Sequence, residues 1–158
     1  MDRLVQRQQP LNGLYHYKNA GAGVHIYVID PGINKYHADI GGRAEYGPNF
    51  VTSETPTHSN SDDCNGHGTA VAGIAAGAKY GVAKAATILA VRIFDCDRLA
   101  NSDDPIVNAV TSVRDHAIKP AVINMSIGSD CVDPNTPGNK TPARQDPTRP
   151  SLWQSKAR

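Results

Sequence analysis

Val24-His25-Ile26-Tyr27-Val28-Ile29-Asp30 is a nearly continuous apolar run that stops at a carboxylate and is followed at once by Pro31-Gly32. It is rich in β-branched and aromatic side chains and lacks polar alternation. Such a run reads as a strand buried on both faces, and strands of that kind belong to parallel sheets covered by helices. Open α/β sheets gather functional groups at the carboxyl ends of their strands, where Asp30 would stand. Taken alone, Asp30 reads equally well as a turn aspartate that terminates the strand.

Two later stretches have the same character. Residues 86–95, Ala-Thr-Ile-Leu-Ala-Val-Arg-Ile-Phe-Asp, read as a buried strand, and residues 121–127, Ala-Val-Ile-Asn-Met-Ser-Ile, as a further strand with the apolar, β-branched composition of one buried on both faces, here expected to be left as an uncovered edge because a Pro-rich stretch follows it. Between them Ile106, Val107, Ala109, Val110, Val113, Ala117 and Ile118 recur at helical spacing, with caps available from 102–104 and Pro105 suited to a first turn. Strands alternating with helices predict an α/β, doubly wound, mostly parallel sheet.

The second telling stretch is Cys64-Asn65-Gly66-His67-Gly68-Thr69-Ala70-Val71-Ala72-Gly73. A polar turn ends in His67, and small residues follow through Ala76. The run suits a buried helix whose small side chains let neighbouring backbones approach. Gly68 and Gly73 each cost about 1 kcal/mol of helix propensity against Ala, so packing must offset them. His67 would stand where the first N–H groups of that helix point outward. A lone histidine there reads more readily as structural or exposed than as catalytic.

The chain of 158 residues carries a net charge of +1, which recommends neither nucleic acid nor an anionic membrane as a partner. One domain of that size buries roughly 68–70% of its unfolded surface. No run of about 18 apolar residues suggests a membrane span, and Met1-Asp2-Arg3 opens no signal peptide. Residues 2–23 read as a polar surface arm. Their Gly21-Ala22-Gly23 precedes the strand, whereas a phosphate-cradling loop follows one. Residues 52–63 read as a polar loop. His37 and Asp39 beside Gly41-Gly42 suit a structural turn, and His58, Asp62, Asp63, Cys64 and His67 match no zinc spacing, so no metal site is assigned. From Ser129 the chain carries five prolines and few apolar residues, which predicts a Pro-rich, disordered tail over 130–158 behind a domain over 1–129.

Together these stretches resemble the subtilisin-like serine peptidases (subtilases), in particular the proteinase K and aqualysin branch. Tyr27–Ile33 (YVIDPGI) resembles the catalytic-aspartate motif and 65–73 (NGHGTAVAG) the catalytic-histidine motif. GVAKAATILAVRIFDCD (81–97) and VINMSIGS (122–129) resemble two further blocks, in the family's order and spacing. The similarity covers roughly residues 1–129, the N-terminal part of the family's fold. Two positions depart from the pattern: Pro31 stands where the family usually has Thr or Ser, and Ala70 where it usually has His.

The resemblance implies peptide-bond hydrolysis by an Asp-His-Ser triad. His67 would be general base and then general acid, and Asp30 would hold its tautomer and stabilise the imidazolium. A peptide or protein substrate would lie as an added strand between Leu99, Ala100 and Asn101 on one side and Ser126, Ile127 and Gly128 on the other. Cys64 and Cys96, 32 residues apart, match cysteines that are disulfide-bonded in aqualysin-like relatives; Cys131 has no evident partner. The cysteines and the family imply an extracellular protein. Structural calcium is also implied, with no ligands assignable, and no cofactor is needed for catalysis. A propeptide or the C-terminal half of the fold is an implied partner.

The family's Gly-Thr-Ser-Met-Ala block and oxyanion-hole asparagine have no counterpart in these residues, and Ser151 and Ser155 lack an elbow-forming glycine. In a related subtilisin, loss of the serine alone removes about six orders of magnitude of rate. The expectation is a serine endopeptidase by family that is inactive as this chain alone. The alternatives are a non-catalytic half-peptidase that acts as a protein-binding module and an unrelated doubly wound small-molecule binder.

Overall fold

The computed structural model describes residues 1–51, 60–96 and 104–128. Its elements, in chain order, are a short 3-10 turn at Asp2–Leu4, then β1 (His25–Asp30), β2 (Ala44–Asn49), α1 (His67–Ala76), β3 (Thr87–Arg92), α2 (Asp104–His116) and β4 (Ala121–Asn124). All of them fall in one compact unit, Met1–Ser126; of the second unit, Ile127–Arg158, only residues 127 and 128 are described. The predicted tail over 130–158 lies outside the described residues.

The four strands form one sheet in the order β2-β3-β1-β4, and all three pairings are parallel. β1 is central: His25 lies opposite Thr87 on one side and Ala121 on the other. Residues 26–30 of β1 are all buried, as their unbroken apolar pattern requires. The chain passes from β1 to the far edge at β2, returns through α1 to β3, and crosses through α2 to β4. The order therefore reverses between β1 and β3, the topological switch point at which doubly wound sheets build their sites.

Helices cover both faces of β1. Ile26 and Val28 cluster with Ile88 and Ala90 of β3 and with Ala72 and Ala76 of α1. Alternation along the strand turns Tyr27 and Ile29 to the other face, the side of α2, which buries Ala109 and Val113. The Tyr27 hydroxyl accepts a hydrogen bond from the Ile118 amide at 2.9 Å, just after α2.

Three expectations change. α1 is buried along one stripe only, Gly68, Ala72 and Ala76, while Ile74 is 67% exposed; small residues at a spacing of four supply one close-packed face. The strand expected over 86–95 ends at Arg92, because the chain then leaves the sheet toward Cys96. The strand expected over 121–127 is shortened to the four-residue β4, with its apolar side chains uncovered as expected of an edge: Val122 is 55% and Ile123 37% exposed. Among the described residues β4 pairs with β1 alone, so its apolar side chains stand at the sheet edge.

Candidate active site

Asp30 is the last residue of β1 and is wholly buried. Pro31 does not disturb it; the Asp30 carbonyl still accepts from the Ile93 amide at 3.2 Å, closing the parallel ladder. The chain then doubles back through Gly32 at φ 130°, where a Cβ would lie 2.3 Å from the Asp62 carbonyl oxygen. Only glycine permits that approach. Segment 60–63 is held across the strand ends in return. The Ile33 amide donates to the Ser61 carbonyl at 2.9 Å, and the buried Ser61 hydroxyl sits 2.8 Å from the Gly47 carbonyl oxygen and 3.0 Å from that of Pro48. The Tyr46 hydroxyl donates to Asp62 Oδ1 at 2.9 Å; burial and this bond push the phenol up to about 12.

His67 is the first residue of α1, entered through Gly66 in the left-handed region at φ 94°. Its Nδ1 lies 2.6 Å from Asp30 Oδ1. The carboxylate accepts, so Nδ1 carries the proton of this bond, and in the neutral imidazole Nε2 is then the nitrogen with the lone pair. The histidine side chain is 33% exposed and the aspartate not at all. The pair thus has a solvent-reachable base backed by a buried anion, in surroundings where a charge-assisted hydrogen bond is strong.

Asp63 organises the turn that delivers His67. Its Oδ1 accepts from the amides of Asn65 at 2.9 Å and Gly66 at 2.7 Å; its Oδ2 accepts from the Thr69 amide at 2.9 Å and from the Thr69 hydroxyl. Partial burial raises this carboxyl, but the four hydrogen bonds outweigh it and hold it below the ordinary carboxylate value. It also places a negative charge at the positive end of α1.

The far side of the turn is fixed covalently. Cys64 and Cys96 are disulfide-bonded with Cα atoms 5.2 Å apart, and Asn65 Nδ2 donates to the Cys96 carbonyl at 2.9 Å. Arg92 is wholly buried beneath the bridge: its guanidinium lies 3.2 Å from Cys64 Sγ and 3.7 Å from Cys96 Sγ, and donates to the Phe94 carbonyl at 3.1 Å.

Of the sequence-derived site residues, the structure brings Asp30 and His67 into contact. Leu99, Ala100 and Asn101 lie outside the described residues. Ser126, Ile127 and Gly128 follow β4 in irregular conformation, and Ser126 Oγ accepts from Asn124 Nδ2 at 3.0 Å. His58 and Cys131 also lie outside the described residues. The loose zinc-like cluster loses Cys64 to the disulfide and Asp63 to backbone capping. Asp39 ties its turn to the segment after α1, its Oδ1 accepting from the Lys79 amide at 2.6 Å and its carbonyl from the Ala78 amide at 2.7 Å. No group of three or more His, Cys, Asp or Glu side chains among the described residues is arranged to hold a metal ion. A concavity of about 500 Å³, lined in part by His37, Thr69, Ile74 and Tyr80, flanks α1 but includes neither Asp30 nor His67. The roles of Asp63 and Arg92 escaped the sequence reading. An aspartate three residues before a Gly-His helix start is the one local sign of the first, and a lone arginine in a buried apolar run is the sign of the second.

The family model described as "Subtilase family" matches residues 21–157. The chain is 44% identical over 128 residues to the "Extracellular serine proteinase" of Thermus sp. (strain Rt41A), covering 81% of this chain and 30% of that one. It is 41% identical over 128 residues to the "Alkaline serine exoprotease A" of Vibrio alginolyticus, covering 81% of this chain and 23% of that one. Among solved structures, a cold adapted subtilisin-like serine proteinase superposes with a TM-score of 0.74 at 40% identity, covering 83% of this chain and 46% of that one. The chain thus spans less than a third of these two curated relatives and under half of the solved structure.

Proposed function

The chain belongs to the subtilase family, and from that premise we propose that it is the aspartate- and histidine-bearing part of a serine endopeptidase. The observation that carries the reading is the contact of His67 Nδ1 with Asp30 Oδ1 at 2.6 Å, between a partly exposed imidazole and a buried carboxylate. In this reading Nε2 of His67 takes the proton of a serine nucleophile and returns it to the leaving amine. Asp30 fixes the tautomer and stabilises the imidazolium without itself taking the proton. The peptide substrate adds as a strand along 99–101 and 126–128. The serine comes from a segment that these 158 residues do not contain, so this chain alone does not hydrolyse peptides. An extracellular setting is supported by the Cys64–Cys96 disulfide and by the name of the Thermus relative.

The test is a chimera in which residues 1–128 replace the matching segment of the Thermus proteinase. It is expected to cleave a succinyl-peptide anilide and to lose that activity in His67→Ala. A folded chimera whose activity survives His67→Ala would refute the assignment.

A second reading, a non-catalytic binding module, is favoured by one observation: the exposed apolar edge at Val122 and Ile123. It predicts a folded chain that captures a partner along β4, and a chimera that folds but does not turn over.

A further inference from the structure

We propose that Asp63 is a positioning residue for the His67–Asp30 pair, a role that rests on reading that pair as the acid–base centre. A helix cap alone would need only the Asp63 bonds to the amides of Gly66 and Thr69. The carboxylate does more, because its second oxygen also receives the Thr69 hydroxyl. A hydroxyl has one proton to give and lone pairs to spare. The Thr69 oxygen uses them to accept from the Asn34 amide at 2.9 Å.

Asn34 lies four residues beyond Asp30, on the segment that leaves β1. Asp63, Thr69 and Asn34 therefore form a hydrogen-bonded chain from the histidine-bearing turn to the aspartate-bearing one. The same two segments meet a second time where Ile33 bonds to the Ser61 carbonyl. Asp63 also grips the two residues before His67 through its Oδ1. One carboxylate thus fixes the backbone on both sides of His67 and, through Thr69, the backbone that follows Asp30. Neither residue touches the reacting atoms. Each sets the distance across which Nδ1 meets the buried carboxylate.

The measurement is the solvent-exchange rate of the His67 Nδ1 proton, read by NMR on the labelled chain and compared with amides of Val28 and Ala90 in the sheet. Asp30→Asn is the control and is expected to abolish the protected signal. Asp63→Asn keeps the shape but offers one acceptor where the network uses two. Thr69→Val keeps the capping amide and removes only the bridge to Asn34. Both are expected to speed Nδ1 exchange about fivefold, the population change that loss of one cap represents, beyond whatever change Val28 and Ala90 show, since those sheet amides report the global stability alone. Should Asp63→Asn not fold, Thr69→Val decides alone. A simple cap predicts that Thr69→Val is silent at His67, and that result overturns the proposal. A wild-type chain with no Asp30-dependent proton overturns the pair itself, and the positioning role with it. An Asp30-dependent proton indifferent to both variants overturns the positioning role only.

Discussion

A Cβ on Gly68 would lie 2.0 Å from the carbonyl oxygen of Gly32 and 3.0 Å from Asp30 Oδ1. The first turn of α1 is therefore pressed onto the loop that leaves β1, and His67 meets Asp30 because no side chain separates the two backbones. Helix propensity favours Gly68→Ala by about 1 kcal/mol, but the clash is with backbone and cannot be relieved by a rotamer. The substitution is expected to destabilise by about 2 kcal/mol or more. Urea unfolding checks it; a Gly68→Ala protein as stable as wild type would contradict the close approach.

The Cys64–Cys96 bridge, at a sequence separation of 32, closes a loop that contains all of α1 and β3. On the chain-entropy model it stabilises by about 3–4 kcal/mol. The Cys64→Ser/Cys96→Ser double variant, and wild type in reductant, are expected to melt at similarly lowered temperatures. Non-reducing peptide mapping should recover the 64–96 link; a link from Cys131 to either would contradict it.

Asp63 makes stability depend on acid. Folding lowers its carboxyl below the ordinary 3.8, so its contribution is complete above about pH 4 and is lost as pH falls through the lowered folded value. Asp63→Asn is expected to cost about 1 kcal/mol at neutral pH, as the loss of a helix cap does, and to flatten the acid limb of the stability curve. Urea midpoints from pH 7 down to the acid limb measure both. A variant with the same acid slope as wild type would show that Asp63 is not the titrating group.

Among the described residues β4 is paired on one side only and carries apolar side chains to that edge, with Ile118 just before it 57% exposed. Edges of that kind self-associate unless charged or covered. The isolated chain is expected to elute as oligomers at rising concentration. Val122→Lys is expected to shift it toward monomer with a stability change within about 0.5 kcal/mol. A monodisperse wild-type chain would contradict the expectation.

The centre of this fold was legible because β1 and much of β3 announce themselves as unbroken apolar runs, with Asp30 at the end of the first, and because His67 opens a run of small residues that suits a close-packed helix. β2 was not legible as a strand, because Gly47 and Pro48 interrupt it; its place depends on Gly47, where a Cβ would lie 2.6 Å from the Ala90 carbonyl. β4 was legible as an edge that carries a covered strand's side chains, and among the described residues its surroundings cover one edge only; its early end at Asn124 was not legible. Asp63 reads as one more polar loop residue, since its value lies in four partners that converge only when the turn is formed. Arg92 reads as a flaw in a strand until the disulfide above it is seen.

The central claim is that Asp30 acts on the reaction through His67. Asp30 is wholly buried, so it cannot touch a peptide substrate, and its loss must appear in turnover rather than in binding. Steady-state kinetics of Asp30→Asn in the chimera with the Thermus proteinase measures this directly. The account predicts a fall in kcat of roughly four orders of magnitude, the loss known for the orienting carboxylate of a related subtilisin, with KM close to that of the unsubstituted chimera. A folded Asp30→Asn chimera that keeps kcat within about tenfold, less than 1.4 kcal/mol of transition-state stabilisation, would contradict it.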